Sequence, residues 1–195
     1  YIGPQGIVHG TTITILNAFR KINKKPSGHV FLTAGLGGMS GAQPKAGNIA
    51  GCITICAEIN SKATQIRFEQ GWVDEVIQKI DKLIVRVRDA KINKEVVSIA
   101  YQGNVIEVWE AFYEANIFIE LGSDQTSLHN PWAGGYYPLG LSMDEANKMM
   151  QIEPLEFKKN VKKSLIRHAE IIKKPTERGT YFFDYGNAFR LEASR

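Results

Sequence analysis

"VFLTAGLGGMSGAQPKAGNIAG", residues 30–51, decides how the rest of the chain is read. An apolar run, Val30–Leu32, climbs into four glycines, Gly35, Gly37, Gly38 and Gly41. Alanines and a further glycine follow at helical spacing. Strand, glycine turn, helix is the context in which a G-x-G motif carries chemistry. Glycine tolerates positive φ, and its missing Cβ lets a pyrophosphate approach the main chain. A helix starting near Gly41 would add free N–H groups and the positive end of its dipole. The motif departs from the strict G-x-G-x-x-G: Ser40 stands where the third glycine would be, with Gly41 one residue later. A glycine-rich turn that only packs is the competing reading.

Working outward, "HVFLTA" (29–34) is a buried strand after Pro26 and Gly28, and small residues 42–51 predict a helix packed close to it. "CITICAEI" (52–59) is a second strand ending near Glu58, 23 residues after Gly35. A Rossmann domain places an acid about 20 residues on, where it accepts hydrogen bonds from the adenosine ribose. A carboxylate there repels a 2′-phosphate, so NAD is expected rather than NADP. An ordinary exposed strand end is the alternative for Glu58.

Residues 10–22 read as a helix with Ile13, Leu16 and Phe19 inward and Thr11 or Thr12 as cap. "VDEVIQKIDKLIVRVRDA" reads as helical, with Val76, Ile80, Leu83, Ile84 and Val87 on one face and Asp81 as a possible fresh start. "VVSIAY" (96–101) is a third strand, 104–115 a helix with Val105, Val108, Trp109 and Phe112 inward, and "IFIELG" (117–122) a fourth strand. A polar, glycine-rich passage (123–140), two helical stretches, an extended "YFFDYG" (181–186) and a terminal helix complete the chain. Strands alternating with helices predict a doubly wound, mainly parallel α/β sheet, Rossmann-like, with helices on both faces. Ligands of such sheets sit beyond the carboxyl ends of the strands.

The 195 residues suit one domain with a proper core, and 44% hydrophobic with 23% charged residues is ordinary globular composition. No apolar run reaches the length of a membrane span, and the first residues carry no basic signal region. The abrupt ends are expected of a domain excised from a longer protein. Net charge is +4, with pI near 9.0. Residues 158–174 hold seven Lys/Arg against the single acid Glu170. Without interleaved aromatics, and with Val161, Leu165, Ile171 and Ile172 near helical spacing, this is a solvated helix face rather than a nucleic-acid stripe. Cys52 and Cys56 have no neighbours to complete a metal site and read as buried core thiols of a reduced cytoplasmic protein. Asp124, Ser127 and His129 lack the G-x-S-x-G elbow of a hydrolase. His9, His29 and His168 read as structural or surface residues.

"YIGPQGIVHGT", "LTAGLGGMSGAQPKA", "DQTSLHNP", "GGYYP" and "FDYGN" resemble, in order and spacing, the central domain of the urocanase family, over essentially the whole chain. The resemblance implies a cytoplasmic, usually homodimeric enzyme of histidine degradation. It adds water to urocanate to give 4-imidazolone-5-propionate and holds NAD+ tightly. It implies that this chain is one NAD-binding domain, 1–195, inserted into a larger core domain, and inactive alone. It also implies that the oxidised nicotinamide serves as an electrophile at C4 and is regenerated. Carried over by motif, the cofactor contacts fall on Gly38, Met39 and Ser40, beside Gly37 of the glycine loop; on Glu58; on Asn104 and Val105; on Gln125, Thr126, Ser127, Leu128 and His129; on Tyr136 and Tyr137; and on Tyr185. An arginine that some members carry shortly after the acid has no clear counterpart near Lys62 and Ala63. The family's catalytic cysteine lies outside this chain. Neither a membrane nor a nucleic acid is expected as partner. Rival readings are a redox dehydrogenase cofactor domain and a non-catalytic NAD-sensing module.

Overall fold

The computed structural model describes residues 3–125, 130–184 and 188–193. Among them, six strands form one sheet: β1 (Val30–Ala34), β2 (Ile53–Glu58), β3 (Glu75–Ile77), β4 (Val97–Gln102), β5 (Leu121–Ser123) and β6 (Tyr181–Phe183). They lie in the order β3-β4-β2-β1-β5-β6, and every neighbouring pair is parallel. The helices are α1 (Pro4–Lys21), α2 (Ala42–Ala50), α3 (Ser61–Glu69), α4 (Ile80–Asn93), α5 (Val105–Glu114), α6 (Met143–Ile152), α7 (Pro154–Glu177) and α8 (Phe189–Ala193). The doubly wound sheet expected from the sequence is present.

Alternate side chains of the central strands feed two cores, which is why these strands read as unbroken apolar runs. Phe31 and Leu121 meet Ile15 and Phe19 of α1 and Ala46 and Ala50 of α2 on one face. Val30, Leu32, Ile53 and Ile55 meet Leu83 and Val87 of α4, Trp109 and Phe112 of α5, and Val161 and Leu165 of α7 on the other. The small residues of α2 let it settle onto β2: a Cβ added at Gly47 would overlap the Thr54 hydroxyl. Gly47 thus does the close helix–strand packing that the third glycine of the motif normally does.

The chain leaves β1 toward β2 on one side, and later returns to place β5 on the other side of β1. The reversal at β1 and β5 creates a crevice at their carboxyl ends.

Four expectations need correction. First, α1 begins at Pro4, with Pro in its first turn, and Thr12 bonds back to the Val8 carbonyl at 2.8 Å rather than capping; Thr11, Thr12, Ile15, Ala18 and Phe19 face the core, while Ile13 is exposed. Second, residues 75–77 are strand β3, paired with β4, so Val76 belongs to no helical face; α4 starts at Ile80, not Asp81. Third, α3 was not anticipated. Fourth, only Leu121–Ser123 of the fourth strand pairs as such. Before it, side chains take the main-chain groups: Lys91 Nζ donates to the Phe118 carbonyl at 2.9 Å, and Thr180 Oγ1 to that of Ile119 at 2.6 Å.

The basic stretch is the outer face of α7, whose Phe157, Val161, Leu165, His168, Ile171 and Ile172 are buried. Both cysteines are buried and unpaired. Burial pushes the Cys52 thiol up to about 12 and raises that of Cys56 further, so neither supplies a thiolate.

Candidate functional site

A cleft of about 620 Å³ opens at the carboxyl ends of β1, β2, β4 and β5, within the size range of small-molecule sites, roughly 300–1,000 Å³. Its first lip is the glycine loop. Gly35 turns the chain with φ +94°, and the Leu36 N–H then donates to Glu58 Oε2 at 2.7 Å. Among the described residues no acceptor takes the N–H groups of Gly37, Gly38, Met39 or Ser40. All four residues line the cleft. A Cβ at Gly38 would meet nothing within 4 Å, so the main chain is bare on that side.

This refines where the free donors lie. The N–H groups of Gly41, Ala42 and Gln43, at the start of α2, already donate to the carbonyls of Gly37, Met39 and Ser40 at 3.0–3.2 Å. The turn preceding the helix satisfies the first helical amides, and the N–H groups without an acceptor among the described residues lie one turn earlier, on Gly37–Ser40. The result is a nest of oriented N–H groups suited to an anion.

Arg67 on α3 organises the back of this loop. Its guanidinium donates to the carbonyls of Leu36 at 3.1 Å, Gly37 at 2.6 Å and Gly38 at 3.5 Å, and stacks 5.3 Å from the Trp72 ring. A Cβ at Gly41 would overlap that guanidinium. Holding the carbonyls on one side turns the amides to the other, and leaves a fixed cation near the nest. Sequence reading missed Arg67 because α3 shows no apolar period: Thr64 is its sole buried residue. The signal that was available is Asn60, whose side chain accepts from the N–H groups of Lys62 and Ala63 and caps the helix.

Glu58 forms the second wall. Oε2 accepts from Leu36 N, and Oε1 from Asn60 N at 2.8 Å. Desolvation raises its pKa above the ordinary carboxyl value, against the lowering effect of those N–H groups. No cation pairs with it among the described residues. Each oxygen keeps a lone pair free, so the carboxylate can still accept hydroxyl donors from the cleft. Gln102 supports the strand end by donating to the carbonyls of Glu58 and Ile59, both at 2.9 Å.

Asn104, Val105, Gln125, Tyr136 and Tyr137, all named from the motif resemblance, also line the cleft. Asn104 is largely committed to structure: Oδ1 caps α5 through Ile106 N, and Nδ2 donates to the Tyr137 carbonyl at 3.2 Å. The Tyr137 hydroxyl donates to Asn147 at 2.9 Å. Tyr136 is 2% exposed, and its hydroxyl lies 3.2 Å from Nδ1 of His168, a wholly buried residue. Burial lowers the His168 pKa to about 3, so it is neutral and structural, as expected. Thr126, Ser127, Leu128, His129 and Tyr185 lie outside the described residues, as do two members of the rejected Asp124–Ser127–His129 triad. No metal-binding cluster exists among the described residues.

The arrangement fits a dinucleotide: bare amides for a phosphate, a carboxylate beside them for ribose hydroxyls, and aromatic and polar groups farther along the same crevice. Comparison with known proteins points the same way. The family model for the urocanase Rossmann-like domain matches residues 3–195. The chain is 53% identical over its whole length to a probable urocanate hydratase of Caenorhabditis elegans, spanning 29% of that protein. It is 49% identical to the urocanate hydratase of Mus musculus, of which it spans 30%. A probable urocanate hydratase of Dictyostelium discoideum matches at 53%. The chain thus spans about three tenths of the length of these relatives.

Proposed function

This chain belongs to the urocanase family, as its Rossmann-like domain, and from that premise we propose that it is the NAD+-holding domain of a urocanate hydratase. The full-length protein adds water to urocanate and yields 4-imidazolone-5-propionate in histidine degradation. One observation carries the cofactor half of this reading: Gly37–Ser40, whose four N–H groups have no acceptor among the described residues, line a cleft that Glu58 also lines. Those donors would hold a pyrophosphate, and Glu58 would accept hydrogen bonds from the ribose hydroxyls.

When bound, the oxidised nicotinamide supplies an electrophilic carbon that the reaction borrows and returns, with no net redox change. The work of this chain is to bind and to orient. Arg67 keeps the loop carbonyls turned away from the phosphate. Glu58 selects a free 2′-hydroxyl and repels a 2′-phosphate. Tyr136 and Gln125 line the cleft and would help to hold the nicotinamide half in place. Such positioning lowers a barrier by as much as about 7–11 kcal/mol when geometry is fixed. Substrate binding and the catalytic cysteine belong to the core domain into which 1–195 is inserted, so the domain alone is inactive. The resemblance also supports a homodimer in the cytoplasm; no helix among the described residues is long and apolar enough to cross a membrane.

The test is to purify the full-length protein, release its ligand by denaturation and assay urocanate consumption. About one NAD+ per subunit, with hydratase turnover and no build-up of reduced nicotinamide, is expected. Net reduction of the nicotinamide by substrate would mark a dehydrogenase, and reversible NAD+ binding without turnover a sensing module.

A further inference from the structure

Beneath the glycine loop lies a buried cluster of mutually hydrogen-bonded polar side chains. Gln43 is 1% exposed, and Thr33 and Ser123 are wholly buried. Thr33 Oγ1 donates to Gln43 Oε1 at 2.6 Å and lies 2.8 Å from Ser123 Oγ, which reaches Gln43 Oε1 at 3.3 Å. Gln43 Nε2 donates to the Ala34 carbonyl at 3.3 Å. That same carbonyl accepts the Gln125 N–H at 3.2 Å.

Burying an amide and two hydroxyls to satisfy one another adds little stability, because three apolar groups of similar shape would fill the same space without desolvation cost. What hydrogen bonds add is direction. Gln43 stands in the first turn of α2, and its own N–H holds the Ser40 carbonyl at 3.0 Å. Its main chain therefore grips the end of the glycine loop. Its side chain grips the ends of β1 and β5. Through the shared Ala34 carbonyl the cluster reaches Gln125, which also lines the cleft. One residue thus ties the glycine loop to the ends of β1 and β5.

We infer that Gln43, with Thr33 and Ser123, is a positioning residue for the bound dinucleotide, setting the glycine loop Gly37–Ser40 relative to the carboxyl ends of β1 and β5 and to Gln125. The inference rests on the dinucleotide reading of the cleft. It assigns to a wholly buried cluster a role that neither the motifs nor the cleft lining would reveal.

The experiment is to replace the cluster in the full-length protein by Thr33→Val, Gln43→Met and Ser123→Ala together, so that no side-chain partner is orphaned. Melting temperature and the rate of NAD+ release are then compared with the parent. The expected result is a melting temperature within a few degrees of the parent and release about tenfold faster. Release within twofold of the parent overturns the inference, whether or not the melting temperature falls, because a merely structural cluster changes stability alone. Ser123→Ala by itself serves if the triple variant does not fold. It leaves the Thr33–Gln43 bond intact and is expected to speed release about twofold to threefold; unchanged release again overturns the inference. A parent protein that carries and binds no NAD+ fails the dinucleotide reading itself, and this inference falls with it.

Discussion

Two glutamates flank β1, one at each end, and the fold treats them oppositely. At the amino end Glu120 accepts the Val30 N–H at 2.7 Å, is 4% exposed, and is closed off by Lys91, whose Nζ lies 3.1 and 3.2 Å from its two oxygens. At the carboxyl end Glu58 accepts the Leu36 N–H at the same 2.7 Å, but the Asn60 N–H is its second donor and no cation stands beside it among the described residues. The first carboxylate is finished by the protein. The second keeps its remaining acceptor capacity toward a cleft. With the same main-chain role, one acid is completed by a cation and the other is left open to a cleft, as the proposed ribose contact requires.

Breaking the finished end has the largest effect on stability. Lys91→Met leaves Glu120 buried without its counter-ion and is expected to cost about 3 kcal/mol in urea unfolding, with NAD+ retention by the folded fraction unchanged. A loss below about 1 kcal/mol would place this pair among ordinary surface ion pairs and erase the contrast.

Glu58→Gln sharpens the other end. It keeps one acceptor for the main chain but loses the charge that ribose hydroxyls favour. NAD+ binding to the full-length protein is expected to weaken about tenfold to a hundredfold, with unfolding free energy within about 1 kcal/mol of the parent. Unchanged affinity would reduce Glu58 to a loop anchor.

A smaller effect separates the two roles of that carboxyl by pH. Its pKa in the folded state is raised above the ordinary 4.5, so between the two values the folded chain holds more protons than the unfolded one. Stability from this group is present at low pH and is lost as pH rises through the folded pKa. NAD+ affinity moves the other way, because hydroxyls donate to the ionised form. Parent and Glu58→Gln, followed across that window by unfolding and by NAD+ titration, should differ with opposite signs; equal slopes contradict the assignment.

His168 gives a further slope. Its pKa falls from 6.5 to about 3 on burial, so its contribution is lost as pH drops below 6.5 toward 3. His168→Phe should flatten that part of the stability profile, and an unaltered profile would mean the ring is not held neutral.

The sequence made the route from β1 through the glycines to Glu58 readable because parallel strands buried on both faces leave unbroken apolar runs, and because glycine marks where main chain must lie bare. The same logic hid β3, a three-residue edge strand whose Glu75 and Ile77 are only half-buried, so its residues blended into the helix that follows. It hid α3, which buries almost nothing, and with it Arg67. The position of the unpaired amides was legible only to within a turn: whether Gly41, Ala42 and Gln43 spend their N–H groups on the preceding carbonyls depends on backbone angles that composition does not fix. The Gln43 cluster was invisible for a different reason, since its partners are 10 and 80 residues away.

The most direct test is amide hydrogen exchange, read residue by residue in the full-length protein with NAD+ bound and with it stripped. The N–H groups of Gly37, Gly38, Met39 and Ser40 should exchange freely without the cofactor and become protected with it, while those of Gly41, Ala42 and Gln43, already bonded to the loop, change little. Equal exchange at residues 37–40 in both states would contradict the claim that the phosphates rest there.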